Sequence, residues 1–266
     1  MKFLKKIYTG WCIFWFLIVF LLLYPFFLLF LRDKRTYPQA HFMNKVWAYA
    51  VFFITTVRWK IEWRYKPQKN NPVVYTPNHS SYLDIPSLCL ATPYYFVFVG
   101  KSSLAKVPLF GYMFRKLYIS VNRNNGVSKY KVIEEAGKHI DRGRSIAIFP
   151  EGTIPRENNP ALIPFKDGPF RIAIQKQVPI VPVTIPYNWI ILPDNGKDVT
   201  IRRHLMKIIY HEPISTKGMT MDDLDKLRAM TYEVIYEELK KHNQQLNKTE
   251  NINNFDIHFE KKISRA

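Results

Sequence analysis

The chain is poor in cysteine, glycine and acid: its 266 residues include two cysteines, ten glycines and 21 Asp+Glu against 39 Lys+Arg. Cys12 lies in an apolar run and Cys89 among aliphatic residues, which excludes a disulfide framework and leaves no metal-ligand spacing between them. A reduced, cytoplasm-facing protein without a bound metal is the expectation. The glycines form neither G-x-G-x-x-G nor a Walker loop, which argues against a nucleotide-dependent enzyme. No serine is flanked as in a G-x-S-x-G elbow, which argues against an ordinary serine hydrolase. The mean hydropathy of −0.17 excludes a polytopic transporter, and no internal repeat is present.

Apolar residues are plentiful, at 47% with 15% aromatic, so most of the chain can fold around a core. The net charge of 39 − 21 = +18 points to an anionic partner, either nucleic acid or a lipid surface. Residues 11–31 (WCIFWFLIVFLLLYPFFLLFL) carry no charge over 21 positions, enough to cross a hydrocarbon core of about 30 Å as a helix. Lys2, Lys5 and Lys6 precede this run, and Arg32, Lys34 and Arg35 follow it. It lacks the short apolar core and small-residue cleavage site of a signal peptide. Basic residues on both sides give no orientation by the positive-inside rule. A second apolar run, Val46–Val57, is too short to span. The pair is read either as one spanning helix or as a hairpin dipping into one leaflet, with Trp11, Trp15 and Trp47 at the interface and Pro25 able to kink the first helix.

Beyond residue 57 the texture changes. Arg58–Lys66 alternates strictly, with Trp59, Ile61, Trp63 and Tyr65 on one face, which predicts a half-buried edge strand. Further strands are expected at Val73–Thr76, Tyr94–Val99, Leu117–Val121, Ser145–Phe149, Pro179–Ile185 and Lys207–His211. Helices are expected near Tyr82–Leu90, Ser102–Leu117, Val127–Ile140, Gly168–Gln177 and Thr220–His242, the last with Thr220 and Asp223 in capping-box positions. This alternation predicts an α/β fold with a mixed, mostly parallel sheet flanked by helices, preceded by a membrane-embedded helical segment. The division is 1–57 anchor, 58–246 catalytic domain and 247–266 polar, frayed tail.

Two loops at strand ends concentrate the chemistry. Asn78-His79-Ser80-Ser81-Tyr82-Leu83-Asp84 follows the Val73–Thr76 strand and spaces a histidine five residues before an aspartate. If the loop turns into a helix between them, the carboxylate orients the imidazole, and the other ring nitrogen can take a proton from a hydroxyl. The spacing alone is common, and a loop or cap histidine is the simpler reading of it. Phe149-Pro150-Glu151-Gly152-Thr153 follows the Ser145–Phe149 strand and places a carboxylate and turn N–H groups at the sheet's mouth, where α/β folds bind ligands. Alone, it would be an ordinary surface turn.

In this order, with about seventy residues between them, the two motifs resemble those of the glycerolipid acyltransferase family, the PlsC-type 1-acylglycerol-3-phosphate (lysophosphatidic acid) acyltransferases. Gly100-Lys101-Ser102-Ser103-Leu104 with Val107-Pro108 and Gly111, leading to Tyr118–Arg123, looks like the family's second block, which ends in a phosphate-binding arginine. Pro164–Phe170 followed by Val178–Val183 looks like its fourth. The resemblance covers roughly residues 58–215 and implies a hydrophobic N-terminal anchor. It also implies that His79, oriented by Asp84, acts as general base while a lysolipid hydroxyl attacks the thioester of acyl-CoA or acyl-carrier protein, with no acyl-enzyme. Arg123, Lys101, Glu151, Gly152, Thr153 and Lys166 are then the substrate-binding candidates. No cofactor is expected besides the acyl donor, and backbone N–H groups near Gly152 are candidates to stabilise oxyanion charge.

Where the family usually has an arginine after the Pro-Glu-Gly-Thr turn, this chain has Ile154, with Arg156 two residues on. Acceptors other than lysophosphatidic acid, such as another lysophospholipid or an N-acyl amino-acid lipid, are therefore alternatives. A non-catalytic basic protein that binds anionic membranes is the alternative of another class. Between Lys101 and Arg144 ten basic residues face three acidic ones. Next to an apolar anchor, that surplus suits an anionic membrane, on its cytoplasmic face, as partner rather than nucleic acid.

Overall fold

Two apolar helices, α1 (Lys2–Phe30) and α2 (Tyr37–Ile54), open the computed structural model, which describes residues 2–122, 126–155, 160–194 and 199–250. They run antiparallel. Trp47 Nε1 donates to Phe16 O at 2.9 Å, and Tyr8 OH donates to Thr55 O at 2.7 Å. The Trp47 ring sits 4.5 Å from Phe16 and 4.8 Å from Phe20. Phe3–Phe30 is long and apolar enough to cross a membrane, and only 17% of its most apolar window is buried, unlike the core helix of a soluble fold. Phe14, Leu22, Phe26 and Leu29 are among the side chains it leaves exposed.

Helix α2 carries Pro38 in its first turn, where a missing N–H costs nothing. Its buried residues, Tyr37, Ala40, His41, Asn44, Trp47, Ala48, Val51 and Phe52, follow a helical period and pack on the domain behind. The same apolar cluster runs from Val19 in α1 to Leu239 near the C-terminus, so the hairpin shares the domain's core.

The remaining elements are β1 (Trp59–Trp63), β2 (Val74–Pro77), α3 (Asp84–Ala91), β3 (Phe96–Lys101), α4 (Phe110–Leu117), β4 (Ile119–Val121), α5 (Gly126–Asp141), β5 (Ser145–Ala147), α6 (Gly168–Lys176), β6 (Ile180–Thr184), α7 (Asn188–Ile191), β7 (Met206–Tyr210) and α8 (Leu224–Glu250). The seven strands form one sheet in the order β1-β7-β6-β2-β5-β3-β4. Five of them, from β6 to β4, run parallel; β7 is antiparallel to β6, and β1 is parallel to β7. This is the expected mixed, mostly parallel sheet, with β1 at its edge and the fully buried β2 in the middle.

Several details differ from the sequence reading, among them the start of α2 at Tyr37, ahead of the apolar run that begins at Val46. The helical stretch expected over Ser102–Leu117 is a 3₁₀ turn at Ser102–Lys106 and a separate α4, because Pro108 lies between them and supplies no N–H. The four-residue α7 is absent from that reading. Helix α8 follows the Thr220–Asp223 capping box and runs to Glu250, so the assigned tail begins helical.

Candidate active site

The site forms where β2 and β5 end, at the carboxyl edge of the parallel strands, as expected for an open α/β sheet. Asn78 ties the loop after β2 to the end of β6: its Nδ2 donates to Ile185 O at 3.1 Å, and its Oδ1 accepts from Ile185 N at 2.7 Å. The next residue, His79, is therefore held at a fixed point of the sheet's mouth.

The loop from His79 to α3 wraps around the Asp84 carboxylate, which is fully buried. Asp84 Oδ2 accepts from Ser80 N at 2.8 Å and Ser81 N at 2.9 Å, and it lies 2.9 Å from His79 Nδ1. Its other oxygen, Oδ1, accepts from Asn188 Nδ2 at 2.9 Å. With the carboxylate accepting, Nδ1 carries the imidazole proton, and Nε2 keeps a lone pair. The His79 ring stacks on Phe149, with centroids 3.9 Å apart and planes at 19°. Partner, backbone and stacking surface together fix the ring's orientation.

Glu151 supports the same residue from the turn after β5. Its Oε1 accepts from His79 N at 2.7 Å, and its Oε2 accepts from Ile163 N at 3.3 Å. Burial pushes its carboxyl up to about 8, although the N–H groups of His79 and Ile163 pull it down; the charge of Asp84 adds to the rise.

A cavity of about 660 Å³ opens beside His79. Its walls include Phe98, Val99, Gly100, Phe110, Phe114 and Phe149, with Lys101, Ser103 and Thr153 adding polar groups. A Cβ at Gly100 would lie 2.9 Å from Phe114 Cζ, so a larger residue there would displace that ring into the cavity wall. An apolar cavity with a few polar groups and a histidine on its wall suits a ligand with a long apolar part and a reacting hydroxyl.

The sequence candidates separate in the fold. His79 and Asp84 come together as expected, and Lys101 and Thr153 line the cavity beside them. Glu151, read from sequence as substrate-binding, is instead 1% exposed and holds the His79 backbone, because both of its oxygens are taken by N–H groups. Gly152 and Lys166 pack against each other: a Cβ on Gly152 would lie 2.8 Å from Lys166 Nζ, and neither residue lines the cavity. Gly152 adopts φ +72, and its N–H donates to Phe149 O at 3.0 Å, so that donor is committed to the turn rather than to an oxyanion. Ile154 is buried and lines the cavity wall. Arg123 and Arg156 lie outside the described residues.

Sequence reasoning missed Asn188. It sits on α7, is fully buried, and donates both to Asp84 Oδ1 and to Ser87 Oγ at 2.9 Å. No motif surrounds it. Among the described residues no group of three or more His, Cys, Asp or Glu side chains is placed to hold a metal ion.

The mixed α/β sheet thus carries a His–Asp pair beside a largely apolar cavity at the carboxyl edge of its parallel strands. Residues 58–186 match the family model Acyltransferase, and the chain belongs to that family, in the PlsC-type glycerolipid group that its motifs resemble. The chloroplastic 1-acyl-sn-glycerol-3-phosphate acyltransferase BAT2 of Brassica napus is 31% identical over 195 residues, 72% of this chain and 54% of that protein. The 1-acyl-sn-glycerol-3-phosphate acyltransferase of Haemophilus influenzae is 32% identical over 168 residues, 61% of this chain and 66% of that protein. The chain thus spans about half the length of the Brassica relative. The crystal structure of the 1-acyl-sn-glycerophosphate (LPA) acyltransferase PlsC from Thermotoga maritima shares the fold with a TM-score of 0.73 at 21% identity, covering 90% of this chain and 98% of that one.

Proposed function

We propose that this chain is a membrane-bound O-acyltransferase that moves an acyl group from acyl-CoA or acyl-carrier protein to the free hydroxyl of a lysolipid, with 1-acylglycerol-3-phosphate as first acceptor and phosphatidic acid as product. The observation that carries this reading is the His79 Nδ1–Asp84 Oδ2 pair at 2.9 Å on the wall of an apolar cavity. The names of the relatives support the acceptor.

His79 Nε2 takes the acceptor's hydroxyl proton as the oxygen attacks the thioester carbonyl. A new C–O bond forms, the C–S bond breaks, and the proton passes from His79 to the departing sulfur. Asp84 keeps Nδ1 protonated and stabilises the imidazolium between these two transfers. Lys101 on the cavity wall is the described cation nearest in role to a phosphate clamp, with Arg123 as the family's own candidate. The apolar α1 and its partner α2 hold the domain at a membrane, which we place on the cytoplasmic side.

Ile154 favours a second reading of the acceptor, because an apolar side chain occupies the cavity wall where the family usually carries an arginine. On that reading the acceptor is another lysophospholipid or an N-acyl amino-acid lipid. Free thiol release on mixing the purified protein with each lysolipid and each thioester donor decides the acceptor and donor together. Release with lysophosphatidic acid supports the first reading. Release only with an acceptor lacking a phosphomonoester supports the second. Membrane binding without release from any pair means a binding protein and overturns both.

A further inference from the structure

At the opposite end of the sheet, where β2, β3 and β5 begin, a second cavity of about 320 Å³ opens against α2. Four cations line it: Lys45 from α2, Lys69 from the approach to β2, and Arg142 and Arg144 from the turn before β5. None of the four pairs with a carboxylate among the described residues. Arg144 is preset by the Tyr95 ring, 5.3 Å below its guanidinium. Four uncompensated charges around one hollow create a strongly positive potential inside it.

His41, one helical turn before Lys45, also lines this cavity and is 4% exposed. Its Nδ1 lies 3.1 Å from Tyr118 OH, while its buried Nε2 has no partner among the described residues. Asn44 Nδ2 donates to that hydroxyl at 2.9 Å.

The surroundings indicate which anion. Phe42 and Tyr94, which are 54% and 43% exposed, stand at the cavity's edge. The cavity lies beside the start of α2, next to the turn that carries Arg32, Lys34 and Arg35 where the apolar α1 ends. A helix lying in hydrocarbon ends at headgroup depth, where anionic lipid phosphates meet basic side chains. We propose that this cavity is a second, non-catalytic lipid site that holds the phosphate of an anionic phospholipid, with Phe42 and Tyr94 against the lipid's apolar part. It is separate from the cavity at His79 and does not rest on the catalytic reading.

Thermal unfolding of the full-length protein in neutral detergent tests the site, titrated with dioctanoylphosphatidylglycerol, dioctanoylphosphatidylcholine or inorganic phosphate. We expect a saturable rise in Tm with the phosphatidylglycerol alone, and a Kd raised roughly tenfold or more in Arg142→Gln/Arg144→Gln. Lys101→Gln, at the other cavity, is expected to keep the wild-type Kd. If the double variant fails to fold, Lys69→Gln is measured in its place, with an expected weakening of roughly threefold. An equal Kd for inorganic phosphate overturns the lipid assignment. An unchanged Kd in the folded site variants, or equal binding of phosphatidylcholine, overturns the site.

Discussion

Asn188 donates to Asp84 Oδ1 at 2.9 Å across 104 residues of sequence, closing the shell of donors around the carboxylate that faces His79. The short α7 that carries it is tied down in turn, since Arg202 N donates to Ile191 O at 2.8 Å and Ile201 N to Thr9 Oγ1 of α1 at 3.0 Å. The first helix of the hairpin is thereby linked to the buried aspartate through two short segments.

Asn188→Ala removes a hydrogen bond to a charged group without touching the reacting atoms. We expect kcat to fall roughly ten- to hundredfold with KM little changed. Steady-state kinetics of folded Asn188→Ala beside the wild type read that split directly.

Glu151 gives the fold a pH dependence of known sign. Its carboxyl, held at about 8 against an ordinary 4.5, keeps a proton in the folded state that the unfolded chain releases. Its contribution to stability is complete below about 4.5 and is lost as pH rises towards 8, at about 1.4 kcal/mol per unit. Chemical denaturation from pH 5 to 8 should show this decline in the wild-type protein and a flatter profile in Glu151→Gln. The amide oxygen that Glu151→Gln introduces can still accept from His79 N, so that variant should keep more activity than Glu151→Ala.

Ile154→Arg tests what the cavity wall selects. An arginine there adds a charge-assisted contact to a phosphomonoester, and KM for lysophosphatidic acid should fall roughly tenfold while kcat holds. The same variant should gain nothing with an uncharged acceptor, and kinetics on the two acceptors side by side show the difference.

Much of this architecture is legible in the sequence because the strands are short, apolar and regularly spaced between helices. The Arg58–Lys66 alternation places β1 at an edge, and Thr220 with Asp223 marks the start of the last helix. The His79–Asp84 pair is legible because five residues are just enough for a loop to turn back into α3. The first half of α2 is not, since its buried face there contains Ala40, His41 and Asn44 rather than large apolar residues. Asn188 stays hidden for a different reason. A helix of four residues has no period to read, and an amide 104 residues from its carboxylate partner leaves no local pattern. The role of Glu151 depends on burial, which its Pro-Glu-Gly turn does not reveal.

The central claim is that His79, oriented by Asp84, activates a lysolipid hydroxyl against a thioester. The most direct test follows thiol release from acyl-CoA and lysophosphatidic acid by wild-type protein, His79→Ala and Asp84→Asn, each reconstituted in vesicles of the same composition. We expect steady release from the wild type, none above background from His79→Ala, and a loss on the order of 10²–10⁴ in Asp84→Asn, with all three remaining vesicle-bound. Undiminished release from folded, vesicle-bound His79→Ala would contradict it.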